Sequence, residues 1–196
     1  MIRRFTASKG DVLFQPGAAC PGFLIVEAGV IRVSLTAANG REVVLYRVSA
    51  GTVCLQTFGC LIDGDHYSAE GVVEADVTGR MIPAQSFHDA LADDPAFRKQ
   101  VFNGVAQRFA EYQRVLEEVA LLGFDERLAR VLLRLCDGQG FVAFTHVALA
   151  AETASGRAFV SRRLAALARA GLVAQRKGGV QILDHAALER IAAVDR

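Results

Sequence analysis

The chain has 196 residues, 52% of them hydrophobic and 8% aromatic, enough to fill one large or two small domains with a real core. Its formal net charge of +1 hides an asymmetry: 11 Lys/Arg face 14 Asp/Glu up to Gly123, and 11 face 7 from Phe124 onward, an acidic front and a basic back that suit a sensor joined to a nucleic-acid reader. No apolar run approaches the ~18 residues of a membrane span. The stretch Met1-Ile2-Arg3-Arg4-Phe5 lacks the apolar segment of a signal peptide, so a cytoplasmic protein is expected, and four cysteines without zinc-ribbon spacing do not make a disulfide scaffold.

From Ile2 to about Pro83 the pattern is short strands broken by glycine. Val12–Phe14, Phe23–Val26, Val30–Leu35, Val43–Val48, Gly71–Glu74 and Val77–Ile82 alternate with Gly10, Gly17, Gly22, Gly29, Gly40 and Gly51. Asn39-Gly40 is a strong hairpin signal, and many short strands at near-even spacing predict a β-sandwich or jelly-roll barrel. Ser86–Ala92 reads as a short helix closed by Asp93-Asp94-Pro95. A long helix follows from Pro95, a residue suited to a first turn, to about Leu122. Its apolar positions Phe97, Val101, Val105, Phe109, Tyr112, Leu116 and Val119 step by fours and threes, the spacing of a helix–helix seam, and predict a homodimer. Gly123 marks the boundary, and a further helix spans Asp125–Cys136.

The stretch Thr145–Val173 carries the chemistry. Thr145 is a candidate N-cap for a short apolar helix over Val147–Glu152. Ala154-Ser155-Gly156 supplies a turn, with Ser155 as the next N-cap, and a second helix runs from Arg157 to about Ala170 before Gly171. At roughly 100° per residue, Val160, Leu164 and Leu167 share a narrow apolar face, and Arg157, Ala158, Ser161, Arg162 and Arg169 lie on another arc. Between Ser155 and Lys177 there are six basic residues and no acidic one. Leu172–Arg176, a Lys177-Gly178-Gly179 turn and Val180–Leu183 then form a hairpin, the wing of a winged helix. Such a helix fits the major groove, where Arg reads guanine edges and Arg, Lys or Ser holds phosphate. Asp184 caps a last helix over His185–Ala193.

A glycine-punctuated barrel, a long helix and a winged helix, in that order, resemble the Crp/Fnr family of bacterial transcription regulators over nearly the whole chain. Lys9-Gly10-Asp11-Val12-Leu13-Phe14-Gln15-Pro16-Gly17 and Leu24–Val33 resemble the family's barrel turns. Arg157-Ala158-Phe159-Val160-Ser161-Arg162-Arg163-Leu164 resembles its recognition helix. The resemblance implies an α+β protein: a cyclic-nucleotide-binding-like β-roll or jelly-roll sensor over residues 1–94, a dimerisation helix over 95–123 and a winged helix-turn-helix over 124–196. It implies double-stranded DNA, a second copy of the chain and RNA polymerase as partners. It gives Arg157, Ser161 and Arg162 base- and phosphate-contacting roles, and Thr145, Ser155, Arg163 and Lys177 are further candidate DNA contacts of the same region. Ala158 stands where many members carry a cytosine-reading Glu, so their half-site preference does not transfer.

The sensor departs further. Members that bind cyclic AMP carry Gly-Glu-Leu and then Arg-Ser at the phosphate turn; here Gln56 and Tyr67 stand in place of the Glu and the Arg, with Ser68 retained. Without that Arg a cyclic phosphate loses a charge-assisted hydrogen bond of roughly 1.5–3 kcal/mol, so cyclic AMP is not expected as effector, and Ser68 with the glycine-rich turn is left as a holder for another anion. Cys54 and Cys60 bracket the same turn and suggest a thiol switch, with Cys20 as a third partner; packing is the alternative role. An iron–sulfur cluster is disfavoured because Cys136 lies far along the chain from Cys20, Cys54 and Cys60, and haem, with His66, His88, Cys54 or Met81 as its candidate ligands, because a lone histidine in a loop is more often a surface residue. A constitutive DNA binder is a further alternative. A cupin-like enzyme is the weakest, since one His in the barrel does not make a metal cluster, and no catalytic motif is present.

Overall fold

In the computed structural model, which describes residues 2–193, residues 2–36 and 44–114 form one compact unit, and 37–43 with 115–193 form another. The first holds β1 (Arg3–Ala7), β2 (Val12–Phe14), β3 (Gly22–Thr36), most of β4 (Glu42–Ser49), α1 (Leu55–Asp63), β5 (Glu70–Pro83), α2 (Ala84–Asp93) and most of α3 (Pro95–Leu121). Its sheet runs β1-β5-β3-β4, with β2 paired to β5.

Two long strands replace four predicted short ones. Val30–Leu35 continues Phe23–Val26 as β3, and Gly71–Glu74 continues into Val77–Ile82 as β5. Gly29 is a bulge within β3 rather than a break: its φ is +87°, and a Cβ there would collide with the Asp76 carbonyl. The bulge is needed because Leu24 and Val26, and then Ile31 and Val33, all point into one core. Five residues separate Val26 from Ile31, an odd step that strict alternation would send to the opposite face. The pairing with β5 slips at Val26/Ala28, Ala28/Val30 and Val30/Ile31, which absorbs the mismatch. A second cluster, Phe23, Leu61, Ile82, Phe87 and Val101, joins the sheet to α1, α2 and α3, with Phe23 stacked on Phe87 at 4.7 Å.

The second unit holds α4 (Phe124–Leu135), β6 (Phe141–Val142), α5 (His146–Glu152), α6 (Arg157–Arg169), β7 (Val173–Arg176), β8 (Gly179–Ile182) and α7 (His185–Ala192), with sheet order β6-β8-β7. Leu128, Leu132, Leu149, Val160, Leu164, Val180 and Leu188 form its dry centre. Thr145 caps α5 by accepting from Ala148 N, and Asp184 caps α7 by accepting from Ala187 N. Gly156, not Ser155, occupies the N-cap of α6, with no side-chain cap bond. The helix closes on a Schellman motif, in which Leu172 N donates to the Leu167 carbonyl and Gly171 N to that of Ala168. Between α5 and α6, Ala154 sits at φ +50°, the one non-glycine residue in the left-handed region among those described.

Candidate DNA interface and sensor pocket

The apolar side of α6 is anchored as its periodicity demands: Val160 and Leu164 are fully buried. The opposite arc, with Arg157, Ala158 and Arg162, is exposed. Arg157 and Arg162 have no carboxylate partner among the described residues; the Arg162 guanidinium lies 5.6 Å from the Phe159 ring centre. Lys177 stands exposed in the β7–β8 turn. The structure therefore presents two exposed arginines without carboxylate partners among the described residues, on a helix fixed from behind.

Two residues expected at DNA also hold partners within the protein. Arg163 forks onto Asp125 in the first turn of α4, its Nε 2.6 Å from one carboxylate oxygen and its Nη2 on the other, so it ties α6 to α4. Phe124 and Phe159 repeat that tie at 4.6 Å. The Ser161 hydroxyl donates to the Arg157 carbonyl at 3.0 Å and meets His146 Nδ1 at 2.8 Å. Neither Asp125 nor His146 was recognisable from the sequence, where one is an acidic residue in a first turn and the other a lone histidine.

In the sensor unit the stretch read as a turn, residues 51–60, is mostly helix: α1 starts at Leu55 behind an N-cap Cys54 that makes no side-chain cap bond. Without a capping side chain or an acidic first turn, the sequence carries no start signal. The helix aims Gln56 at the loop before β5. Gln56 Oε1 accepts from Ser68 N at 3.0 Å, Ser68 Oγ at 3.1 Å and Ala69 N at 3.2 Å. The amide oxygen of the chain itself takes all three donors. Gln56 N donates to the Tyr46 hydroxyl at 3.1 Å, and the Tyr46 and Tyr112 rings meet edge-on at 5.5 Å. Arg108, buried in this unit, donates to the Val53 carbonyl, pairs with Glu111 and stacks over Tyr46 at 5.3 Å. Tyr67, which stands in place of the Arg of cyclic-AMP-binding members, is buried and stacked on Phe14 at 4.6 Å.

The expected Cys54–Cys60 pair is not formed by this geometry. An α-helix rises about 1.5 Å per residue, so six residues place the two Cα atoms roughly 9 Å apart along α1, beyond the ~7 Å limit for a disulfide. Burial pushes the Cys54 thiol up, and burial with the neighbouring Cys20 thiol pushes Cys60 up to about 11. The neighbour of Cys60 is Cys20, whose sulfur lies 3.9 Å from the Thr57 carbonyl. That carbonyl is one turn before Cys60, the direction in which a helical side chain leans.

The expected seam on α3 also divides. Val101 is buried, and Phe97 and Val105 pack beside it against Phe23 and Phe87, while Tyr112 packs on the barrel core. Phe102, Phe109 and Leu116 are 53%, 62% and 68% exposed, and Val119 is exposed as well.

A barrel sensor module followed by a winged helix with exposed arginines defines a DNA-binding transcription regulator. Residues 4–94 match the cyclic nucleotide-binding domain model, and residues 126–191 match the Crp-like helix-turn-helix domain model. The chain is 30% identical over 201 residues to the transcriptional regulator LdrP of Thermus thermophilus, covering 97% of this chain and 96% of the relative. It is 29% identical over 191 residues to a cyclic AMP receptor protein from the same organism, covering 94% and 85%. A solved Crp/Fnr-family structure from Eubacterium rectale aligns with a TM-score of 0.88 at 25% identity, covering 97% of this chain and 89% of that one. The chain belongs to the Crp/Fnr family of transcription regulators; it is not an enzyme. No helix among the described residues is long and apolar enough to cross a membrane.

Proposed function

We propose that the chain acts as a homodimer that reads a near-palindromic DNA site with α6 and works with RNA polymerase under control of a signal other than cyclic AMP. The observation that carries the last point is the Gln56 amide oxygen bonded to Ser68 N, Ser68 Oγ and Ala69 N. A cyclic phosphate would have to displace those bonds with no arginine to reward it, since Arg108 is held by Val53, Glu111 and Tyr46. Dimerisation rests on Phe102, Phe109 and Leu116, exposed at heptad spacing, with the exposed Val119 three residues after Leu116. In the groove, Arg157 and Arg162 read bases, while Thr145, Ser155 and Lys177 hold phosphate. The test is DNA affinity with and without cyclic AMP, beside calorimetry of the nucleotide alone. No binding in the micromolar range and no change in DNA affinity are expected; cyclic-AMP-enhanced DNA binding refutes the reading.

A second reading, a thiol signal, is favoured by the Cys20 sulfur lying over the Thr57–Cys60 turn of α1. It moves the switch from Cys54 and Cys60 to Cys20 and Cys60. Oxidant-dependent change in DNA affinity that is lost in Cys20→Ser and Cys60→Ser, yet kept in Cys54→Ser, supports it; an unchanged affinity in the oxidised wild type leaves the thiols as packing groups.

A further inference from the structure

Two neighbouring arginines on α6 are held in opposite ways. Arg163 commits its fork to a carboxylate, with Nε and Nη2 both donating to Asp125. Arg162 has no carboxylate partner among the described residues, and its guanidinium carbon lies over the Phe159 ring, 5.6 Å from the ring centre. Both members of that pair are exposed, Phe159 at 40%. Residues three apart share a helix face, so the spacing of 159 and 162 brings ring and cation together with no bend in the backbone.

The ring is itself fixed. Phe124 meets it edge-on, with ring centres 4.6 Å apart and planes at 69°. The Arg127 guanidinium lies 5.9 Å from the centre of the Phe124 ring, and Arg127 donates to the Leu122 and Thr153 carbonyls. Arg127, Phe124, Phe159 and Arg162 thus form one contiguous line from the start of α4 to the exposed side of α6.

A ring holds an arginine differently from a carboxylate. A carboxylate occupies guanidinium N–H groups, the same donors that read a guanine edge. A ring attracts the charge through its π cloud and occupies none of them. Arg162 can therefore be restrained and still present its donors to a base. Restraint matters because a free arginine loses its rotamer freedom on entering the groove, and one already resting on a shelf has less to lose.

We infer that Phe159 is a positioning residue for base recognition: its ring pre-orders the Arg162 guanidinium and leaves the N–H donors free for a base edge. This role rests on α6 entering the major groove with Arg162 at a base. The strength of an exposed cation–π contact corresponds to roughly two- to fivefold in an equilibrium constant.

A double-mutant cycle on the full chain, with a duplex selected by the wild type from a randomised pool, tests the role. Phe159→Leu keeps an apolar side chain beside Phe124 but removes the π cloud. It should weaken binding by roughly two- to fivefold per reading helix and relax preference at the base pair that Arg162→Ala also relaxes. Phe159→Tyr keeps the ring and should restore both. In an Arg162→Ala background, Phe159→Leu should have no further effect. In an Arg157→Ala background it should keep its full effect, since residues two apart do not face each other on a helix. A Phe159→Leu loss of equal size with and without Arg162 overturns the proposal, as do unchanged affinity and preference in Phe159→Leu alone. If that variant does not fold, NMR of the free wild type decides: ring-current shifts of the Arg162 side-chain protons are expected, and random-coil shifts overturn the proposal. If Arg162→Ala itself leaves affinity and preference intact, the groove assignment fails and the role of Phe159 falls with it.

Discussion

Gln56 and Ser68 are bound to each other twice, the Gln56 amide oxygen accepting from both the backbone N–H and the hydroxyl of Ser68 at 3.0 and 3.1 Å. A third bond from Ala69 N completes the plug. Net contributions of about 0.5–1.5 kcal/mol per hydrogen bond, discounted for partial exposure, predict that Gln56→Ala destabilises the sensor unit by roughly 1–3 kcal/mol. Urea denaturation followed by tyrosine fluorescence reads this directly, and an unaltered midpoint contradicts it.

Arginines on one helix should fail in different ways. Arg157→Ala and Arg162→Ala are each expected to weaken specific DNA binding by roughly 1–3 kcal/mol and relax preference at one base pair. Arg163→Ala should instead lower stability by up to about 1 kcal/mol, as its fork with Asp125 is half-exposed, and leave the selected sequence unchanged. Sequence selection from a random pool separates the two classes. Lys177→Ala should weaken all sequences alike and reduce the salt slope by about one per protomer.

The two faces of α3 predict opposite phenotypes. Phe109→Glu places a charge on the exposed stripe and should yield a folded monomer by sedimentation. Val101→Ala removes a buried side chain from the cluster with Phe23 and Phe87 and should cost about 1–3 kcal/mol of stability without changing the mass in solution. A dimer that survives Phe109→Glu and Phe102→Glu together would place the interface elsewhere.

The sensor core is expected to fail in alkali. Burial holds Tyr112 up to about 12 and Cys60 up to about 11, and raises Tyr46 and Tyr67 further. In the unfolded chain these groups ionise near roughly 10 for Tyr and 8.5 for Cys. The folded state thus binds more protons above pH ~8.5, and stability is whole below that pH and declines as pH rises toward 11–12. Denaturation midpoints at pH 7, 9 and 10.5, with tyrosinate absorbance as the second readout, should fall in that order.

Ala154 offers a gain rather than a loss. An L-residue in the left-handed region costs roughly 1–2 kcal/mol, so Ala154→Gly should stabilise the winged helix by about 1 kcal/mol after the added unfolded-state freedom is subtracted. A lower melting temperature would show that the alanine methyl packs usefully there.

What was legible in the sequence is what repeats. The 3.6-residue period of Val160, Leu164 and Leu167 located α6 and its buried side, and Asn39-Gly40 with the spaced glycines located the barrel. What hid were departures from periodicity. Gly29 looks like a strand end but is a bulge inside β3, because only the facing Asp76 carbonyl reveals its purpose. Helix α1 has no cap bond and a glycine at position 59, so local chemistry argued for a turn while packing of Leu61 against Phe23 and Phe87 made it a helix. The site was half legible: Arg157 and Arg162 followed from the arc they share, whereas the partners of Arg163, Ser161 and Gln56 lie 38, 15 and 12 residues away in sequence and come together only on folding.

The fork between Arg163 and Asp125 gains another meaning beside two further bonds. Arg127, two residues past Asp125, donates to the carbonyls of Val119 and Leu122 at the end of the long helix, and Phe124 beside it rests on Phe159. The last turn of α3, the first turn of α4 and the reading helix are thus bolted at three points into one solid piece, like a key fixed to its shaft. A substitution that opens any one of these three contacts therefore loosens the reading helix from the turn ahead of it, and with it the aim of Arg157 and Arg162.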